Sequence, residues 1–473
     1  MPERRRRLEP PHAGAKRTRR QVVTRLLTVS GALAALAVTG DALEGEARSA
    51  RLTVRPARAL ASATVTVQGA GFPPKARGQL LWQLGRAGAQ RLGGVRTNAK
   101  GRFTTTVRLP AATSGSYLIT AKIGKKKGRA AVGVRAPTGA PVALGIYTPG
   151  APASAQRIAD ARRLLGAAPA ILMWYQGWGA SGGEIDAAWL RRAAAAGATP
   201  MITWEPWDFQ RGVNQPQFSL ASIARGDHDA YVQRWATGLA AYGGPVLLRF
   251  AHEMNGNWYP WGARVNGNTP EHFKDAWAHI WDIFADAGAT NVARVWSPNV
   301  VWDQASDFTP FYPGDNAVDW VALDGYNFGS AQGGWRRFDQ IFGPSIARMT
   351  DIAADKPLLI AEMASVEQGG SKAVWVRDAL GAAIPLHYPA IRAVVWFNER
   401  KIEFNQTVDY RIDSSSPAAQ AFMDAARNPY YRGVVQPTHW AARPARSAPD
   451  RNAGGKKRSR RRTTNRRVRR RKN

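Results

Sequence analysis

Eight apolar runs, each followed by a stretch of helical periodicity, constrain this chain more than any other feature. The runs are Val142–Tyr147, Ile171–Trp178, Pro200–Pro206, Pro245–Glu253, Val292–Asn299, Val318–Asn327, Pro357–Ala364 and Ile391–Asn398. Helical stretches between them include Ala153–Leu165, Ile185–Ala196, His228–Tyr242, Thr269–Ala287, Trp335–Ala354 and Ser371–Ala383. The runs are largely continuous rather than alternating, as parallel strands buried on both faces should be. Eight strand-then-helix repeats over roughly 280 residues predict a (β/α)8 TIM barrel. A doubly wound open sheet is the alternative. No Gly-x-Gly-x-x-Gly follows the first run, so no dinucleotide site is signalled.

A barrel of this kind gathers its active residues at the C-terminal ends of its strands. Here those ends carry Trp174, Tyr175, Gln176 and Trp178, then Trp204, Glu205, Trp207 and Asp208. The fourth run brings Arg249, His252, Glu253 and Asn255, with Trp258 just beyond. Trp296 and Asn299 follow, then Asp324, Tyr326 and Asn327, then Glu362, and last Trp396, Asn398 and Glu399. Carboxylates beside aromatics, with few bases, suit sugar chemistry. The acids trade protons, and the rings offer faces to the C–H surface of a sugar. His252-Glu253 does not open a His-Glu-x-x-His zinc pair, because Gly256 stands where the second histidine would. No serine or cysteine nucleophile motif occurs, and neither a metal nor a cofactor is expected.

The segment Arg249-Phe250-Ala251-His252-Glu253-Met254-Asn255-Gly256-Asn257-Trp258-Tyr259-Pro260-Trp261 closely resembles the strand-four signature of glycoside hydrolase family 26, down to the histidine before the glutamate. Pro357–Glu362 and Trp396-Phe397-Asn398 resemble the same family, and the likeness extends over about residues 140–425. It implies a retaining mechanism with Glu253 as acid/base and Glu362 as nucleophile. Arg249 and Tyr326 resemble the residues that hold the nucleophile. Such hydrolysis needs two carboxyls about 5–5.5 Å apart, and strands four and seven end on opposite sides of a closed barrel. His252 and Asn255 are expected to orient Glu253 or bind hydroxyls, and Glu205 to bind substrate. Trp258, Trp396 and Trp178 are expected to supply stacking faces. One departure stands out. The family's mannanases lead us to expect a further histidine at an early strand end, and Trp204-Glu205-Pro206-Trp207 takes its place. The sugar is thus open among mannan, mixed-linkage glucan, xylan and other β-linked polymers.

Charge divides the rest of the chain. The net charge is +32. Residues 138–442 hold 24 bases and 28 acids, whereas residues 51–137 hold seventeen bases and no acid, and residues 443–473 fifteen bases and one acid. Residues 51–137 read as short strands between Gly/Pro-rich turns. Gly69-Ala70-Gly71-Phe72, Gly101-Arg102-Phe103 and Gly115-Ser116-Tyr117 resemble an immunoglobulin-like β-sandwich module appended to secreted bacterial enzymes. Basic residues up to Arg25 precede an apolar run, Leu26 to Val38, which reads as an export signal or short anchor. The tail lacks apolar content and is expected to be disordered. Cysteine is absent, so no disulfide framework exists.

The expected organisation is therefore an export segment over 1–50, the sandwich over 51–137, the barrel over 138–430 and a basic tail over 431–473. The expected function is retaining hydrolysis of internal β-glycosidic bonds in a polysaccharide, by a secreted or cell-surface monomer. A non-catalytic polysaccharide-binding protein on a degenerate barrel is the alternative. The basic module and tail are expected to meet an anionic cell-wall polymer or membrane surface. An export signal argues against nucleic acid as the partner.

Overall fold

The computed structural model describes residues 49–83, 88–179 and 183–435. The export segment, apart from its last residues, and nearly all of the basic tail lie outside the described residues. Among the described residues no helix is long and apolar enough to cross a membrane.

The first strands form two sheets. One is β1 (Arg51–Arg55), β3 (Thr64–Ala70) and β6 (Phe103–Arg108), in the order β1-β3-β6. The other is β2 (Arg58–Leu60), β4 (Arg77–Gln83), β5 (Ala89–Arg96), β7 (Gly115–Ile123) and β8 (Lys126–Arg135), in the order β2-β8-β7-β4-β5. Alternate residues point inward, as the strand period of two requires. Leu52, Val54, Val65 and Val67 of the first sheet share a core with Trp82, Ile119, Ile123, Val132 and Val134 of the second. Two of these strands, β2 and β5, are absent from the six predicted. β2 has only three residues, and β5 is glycine-rich and half exposed, so neither carries an apolar pattern.

Every predicted barrel strand is present. They are β9 (Ala143–Tyr147), β10 (Ile171–Gly177), β11 (Thr199–Glu205), β12 (Val246–Phe250), β13 (Val292–Trp296), β14 (Trp320–Asn327), β15 (Leu358–Ser365) and β16 (Ile391–Phe397). They pair in parallel and close into a barrel, β16 meeting β9. Inward residues such as Met173, Met201, Leu247, Val295, Trp320 and Leu359 pack into one interior cluster. Their neighbours Leu172, Ile202, Leu248 and Ile360 face the surrounding helices. Burial on both faces is why these strands read as unbroken apolar runs.

The helices begin where the chain offers caps. Ser154, Asp186, Thr269, Ser371 and Ser415 each accept a backbone N–H of the first turn, and Pro270 preforms the first turn after Thr269. The long helix Pro270–Asp286 buries Phe273, Trp277, Ile280, Trp281 and Phe284 along one stripe. The packed chain runs slightly past the expected barrel boundary. Tyr431 is buried, and Gly433 donates to the Val142 carbonyl at 3.1 Å.

Beyond β16 a hairpin, β17 (Arg400–Glu403) and β18 (Gln406–Asp409), stands at the mouth of the barrel. Its turn residues Phe404 and Asn405 both have positive φ, the geometry of a tight two-residue hairpin turn.

Candidate active site

The strand ends open into a cleft of about 1520 Å³ whose lining includes Glu205, Glu253, Tyr326 and Glu362. The chain leaves β12 abruptly. Ala251 and Glu253 both adopt left-handed backbone, at φ 46° and 52°. Non-glycine residues hold that conformation only where the surroundings enforce it. Here Ala251 N–H donates to the Trp204 carbonyl at 3.1 Å, and Glu253 N–H to the Ser297 carbonyl at 2.7 Å. The two turns bring the Glu253 carboxyl to the cleft, where Asn299 Nδ2 donates to one oxygen at 2.7 Å and Trp258 Nε1 to the other at 2.6 Å.

Burial pushes the Glu253 carboxyl up, and the nearby Asp324 and Glu362 charges add to this against the pull of His252. It reaches about 7. Glu362, on β15, goes the other way. Burial would raise it, but the Arg249 guanidinium and the charged His252 overcome that and hold it at about 2. Arg249 and the Tyr326 hydroxyl donate to its two oxygens. One carboxyl is thus poised to hold a proton near neutrality while its partner stays ionised. This is the divergence that assigns acid and base roles in paired-carboxyl sites.

Arg249 is wholly buried. Besides Glu362 it donates to both oxygens of Asp324 at 2.7 Å and to Thr203 Oγ1 at 2.7 and 3.0 Å. His252 lies between Asp324, 3.3 Å from Nδ1, and Glu205, 3.2 Å from Nε2. Burial and Arg249 push its pKa down, but hydrogen bonds to the two carboxylates win, and it rises to about 9. At neutral pH it is an imidazolium donating through both nitrogens.

His252, Glu253 and Asp324 each place a ligand atom within 4.8 Å of the others. These atoms are already engaged: Arg249 occupies both Asp324 oxygens, and the imidazolium has no free lone pair. A cation there would face the Arg249 charge, so this donor set does not suit a metal.

The structure unites the two glutamates with Arg249, Tyr326, His252, Glu205 and Trp258, all expected from the sequence. It keeps two others, Trp396 and Trp178, out of the cleft lining and engages a third, Asn255, in the loop beside it. Trp396 is fully buried outside the cleft, its Nε1 donating to the Tyr410 carbonyl at 2.9 Å. Trp178 is buried among Trp204, Tyr231 and Phe250. Neither can offer a stacking face, because the alternation of their strands turns them into the layer between barrel and helices. Asn255 lines the cleft, but its side chain is taken up by the neighbouring loop. Its side chain bonds Asn299 N–H and the carbonyls of Asn299 and Ser306, at 2.7–3.0 Å, and so fixes the loop whose Asn299 side chain holds Glu253.

Asp324 and Asn299 were visible only as strand-end polar residues, and their partners are far away in sequence. Trp302 gave no signal at all. It stands 48% exposed, its ring centroid 5.2 Å from that of the 37% exposed Trp258. The pair provides the aromatic surface expected of Trp178 and Trp396.

Arg249 yields a stability prediction. Arg249→Met leaves the buried Asp324 and Glu362 without their guanidinium, and breaking such a buried network costs about 3–5 kcal/mol. Urea unfolding should show this as a lower midpoint with unchanged slope. A midpoint within error of the parent would mean that Arg249 does not carry the network.

Residues 208–371, which include both glutamates, match the family model described as glycosyl hydrolase family 26. This part of the barrel is similar to the family 26 glycosyl hydrolases. The match begins after Glu205, so the Trp204-Glu205-Pro206-Trp207 corner lies outside it. The chain is 39% identical to Endoglucanase H of Acetivibrio thermocellus over 279 residues, 56% of this chain and 28% of the relative. It is 33% identical to Mannan endo-1,4-beta-mannosidase A and B of Caldalkalibacillus mannanilyticus over 132 residues, 26% of this chain and 22% of the relative. It therefore spans about a quarter of the length of these curated relatives. Among solved structures, the catalytic domain of a family 26 endo-β-1,4-mannanase from Bacillus sp. JAMB-750 aligns with a TM-score of 0.48 and 20% identity, covering 63% of this chain and 88% of that one.

Proposed function

We propose that the barrel is a family 26 glycosyl hydrolase domain that hydrolyses internal β-glycosidic bonds of a polysaccharide with retention of configuration. The observation that carries this reading is the opposed poise of Glu253 and Glu362 in one cleft. Protonated Glu253 gives its proton to the departing glycosidic oxygen as ionised Glu362 bonds to the anomeric carbon. The product is a leaving chain with a free hydroxyl and a glycosyl ester on Glu362. Esterification removes the Glu362 charge, one cause of the raised Glu253 pKa, so Glu253 settles as a carboxylate. It then takes a proton from water as the water oxygen attacks the anomeric carbon, and both glutamates return to their starting states.

The other residues serve this cycle. Arg249 and Tyr326 hold Glu362 charged and aimed. His252 links Asp324 to Glu205, which lines the cleft and is placed to bind a sugar hydroxyl. Trp258 and Trp302 supply a sugar face beside the acid. The 39% identity to a relative named as an endoglucanase, over 279 residues, supports a β-glucan ahead of mannan. A reducing-sugar screen over barley mixed-linkage glucan, carboxymethylcellulose, mannan and xylan tests the substrate. Proton NMR of the first product tests the stereochemistry. An initial α-anomer, or no release from any of these polymers, overturns the reading.

A further inference from the structure

We infer that the outer face of the sheet β2-β8-β7-β4-β5 is a second binding site, separate from the cleft, for an anionic glycan chain. The seventeen bases of residues 51–137 could have been scattered, but the strand register collects at least six of them here. Arg58 on β2, Lys127, Arg129 and Arg135 on β8, Lys122 on β7 and Arg91 on β5 are all exposed. The inward positions of the same strands hold Trp82, Ile119, Val132 and Val134, so these six share the opposite face.

Pairing places them in rows. Arg129, Thr120, Leu81 and Arg91 line up across four strands, and Lys127, Lys122 and Gln79 form the next row. Strands lie about 4.8 Å apart and successive rows about 6.8 Å. Lys122, Lys127 and Arg129 therefore each have a neighbour within one Debye length, about 8 Å at physiological salt, and their potentials add, while Arg91 lies three strands from Arg129, about 14 Å away.

Lys122 and Lys127 stand directly opposite each other in the antiparallel ladder. Like charges in that position destabilise a sheet. No carboxylate occurs anywhere in residues 51–137 to relieve them. A polyanion on this face would.

The face also selects among polyanions. It bears no aromatic among its described residues, so it offers no stacking platform for bases, and its one exposed large apolar side chain, Leu118, is too little to hold a membrane. Between the bases lie Ser116, Gln79 and Gln83, side chains that hydrogen-bond hydroxyls, and Gln83 already donates to Thr120 Oγ1 at 3.2 Å. Carboxylate or phosphate groups spaced along a hydroxylated chain match both features. The choice of a glycan rests in part on the function proposed for the barrel; the location of the site does not.

The test uses the full chain and immobilised polygalacturonate, with dextran as the neutral control. The sheet variant Lys122→Gln/Lys127→Gln/Arg129→Gln/Arg91→Gln is compared with a charge-matched tail variant, Arg458→Gln/Arg460→Gln/Arg461→Gln/Arg462→Gln. Wild type should be retained at low salt on polygalacturonate and not on dextran. The sheet variant should bind about tenfold or more weakly, and the tail variant should lose clearly less. Lys122→Glu should weaken binding while raising Tm, since it sets an ion pair opposite Lys127. Glu362→Gln should bind like wild type, so failure of hydrolysis leaves this result standing. Equal losses in the sheet and tail variants, no retention of wild type, or tighter binding to duplex DNA or phosphatidylglycerol vesicles through the same four bases would each overturn the proposal.

Discussion

Glu362→Ala is expected to lower turnover on the cleaved polymer by a factor on the order of 10⁴–10⁶, the scale seen when a covalent nucleophile is removed. The loss follows from chemistry, not unfolding. The substitution removes a carboxylate held by Arg249 and the Tyr326 hydroxyl, with His252 and Tyr175 beside it. Arg249 keeps both oxygens of Asp324, so the buried guanidinium retains a counterion. The space left beside the anomeric carbon can admit a small anion. With added azide and an activated aryl β-glycoside, this variant should regain turnover and form the α-glycosyl azide, because the anion attacks from the face that Glu362 vacated. Glycosyl azide of β configuration, or turnover near wild type without azide, would remove Glu362 from the nucleophile's role.

Glu253→Ala should cost about 10²–10⁴-fold on polymer, the usual share of a positioned general acid. The deficit should depend on the leaving group. An aryl glycoside whose phenol departs without protonation needs no acid in the first step, so glycosyl-enzyme formation should proceed at close to the wild-type rate. The pH profile of kcat/KM gives a second readout. Glu253 must be protonated, and its pKa lies at about 7, so wild-type activity should fall as pH rises through about 7. Glu362 must be ionised, and its pKa lies at about 2, so it sets no acid limb until far below the range of an ordinary glutamate. In Glu253→Ala the alkaline limb should vanish. A limb that persists near 7 would belong to another group.

The barrel and the carboxylates at its strand ends were legible in the chain because each rests on local pattern, and the resemblance of their segments singled out Glu253 and Glu362. Burial on both faces of a parallel strand forces an unbroken apolar run. The end of such a run marks the catalytic edge. The run Pro245–Glu253 and its glutamate therefore declared themselves together. The strand itself stops at Phe250. The next three residues are a strained turn, which an apolar pattern cannot distinguish from a strand.

The tryptophans show where pattern fails. Trp178, Trp258, Trp302 and Trp396 are the same residue type near strand ends, yet two are core and two line the cleft. Which way each points depends on the pleat of its strand or the path of its loop. Likewise the sequence presents Arg249, His252 and Asp324 as three polar side chains at the ends of buried strands. Their consequence is a coupled network, visible only when β12 and β14 are brought to opposite sides of β13 in the closed barrel.

From the sequence alone followed the eightfold architecture, the carboxylates at the strand ends and the acid-free composition of the basic module. These depend on residue type and period, which the chain states directly. The tertiary structure supplied the cause of the two glutamates' opposed proton affinities, and it decided which tryptophans meet the cleft and which face of the module gathers the charge. A pKa is set by burial and by charges remote in sequence, and a face is set by strand register. Both arise only when distant segments meet.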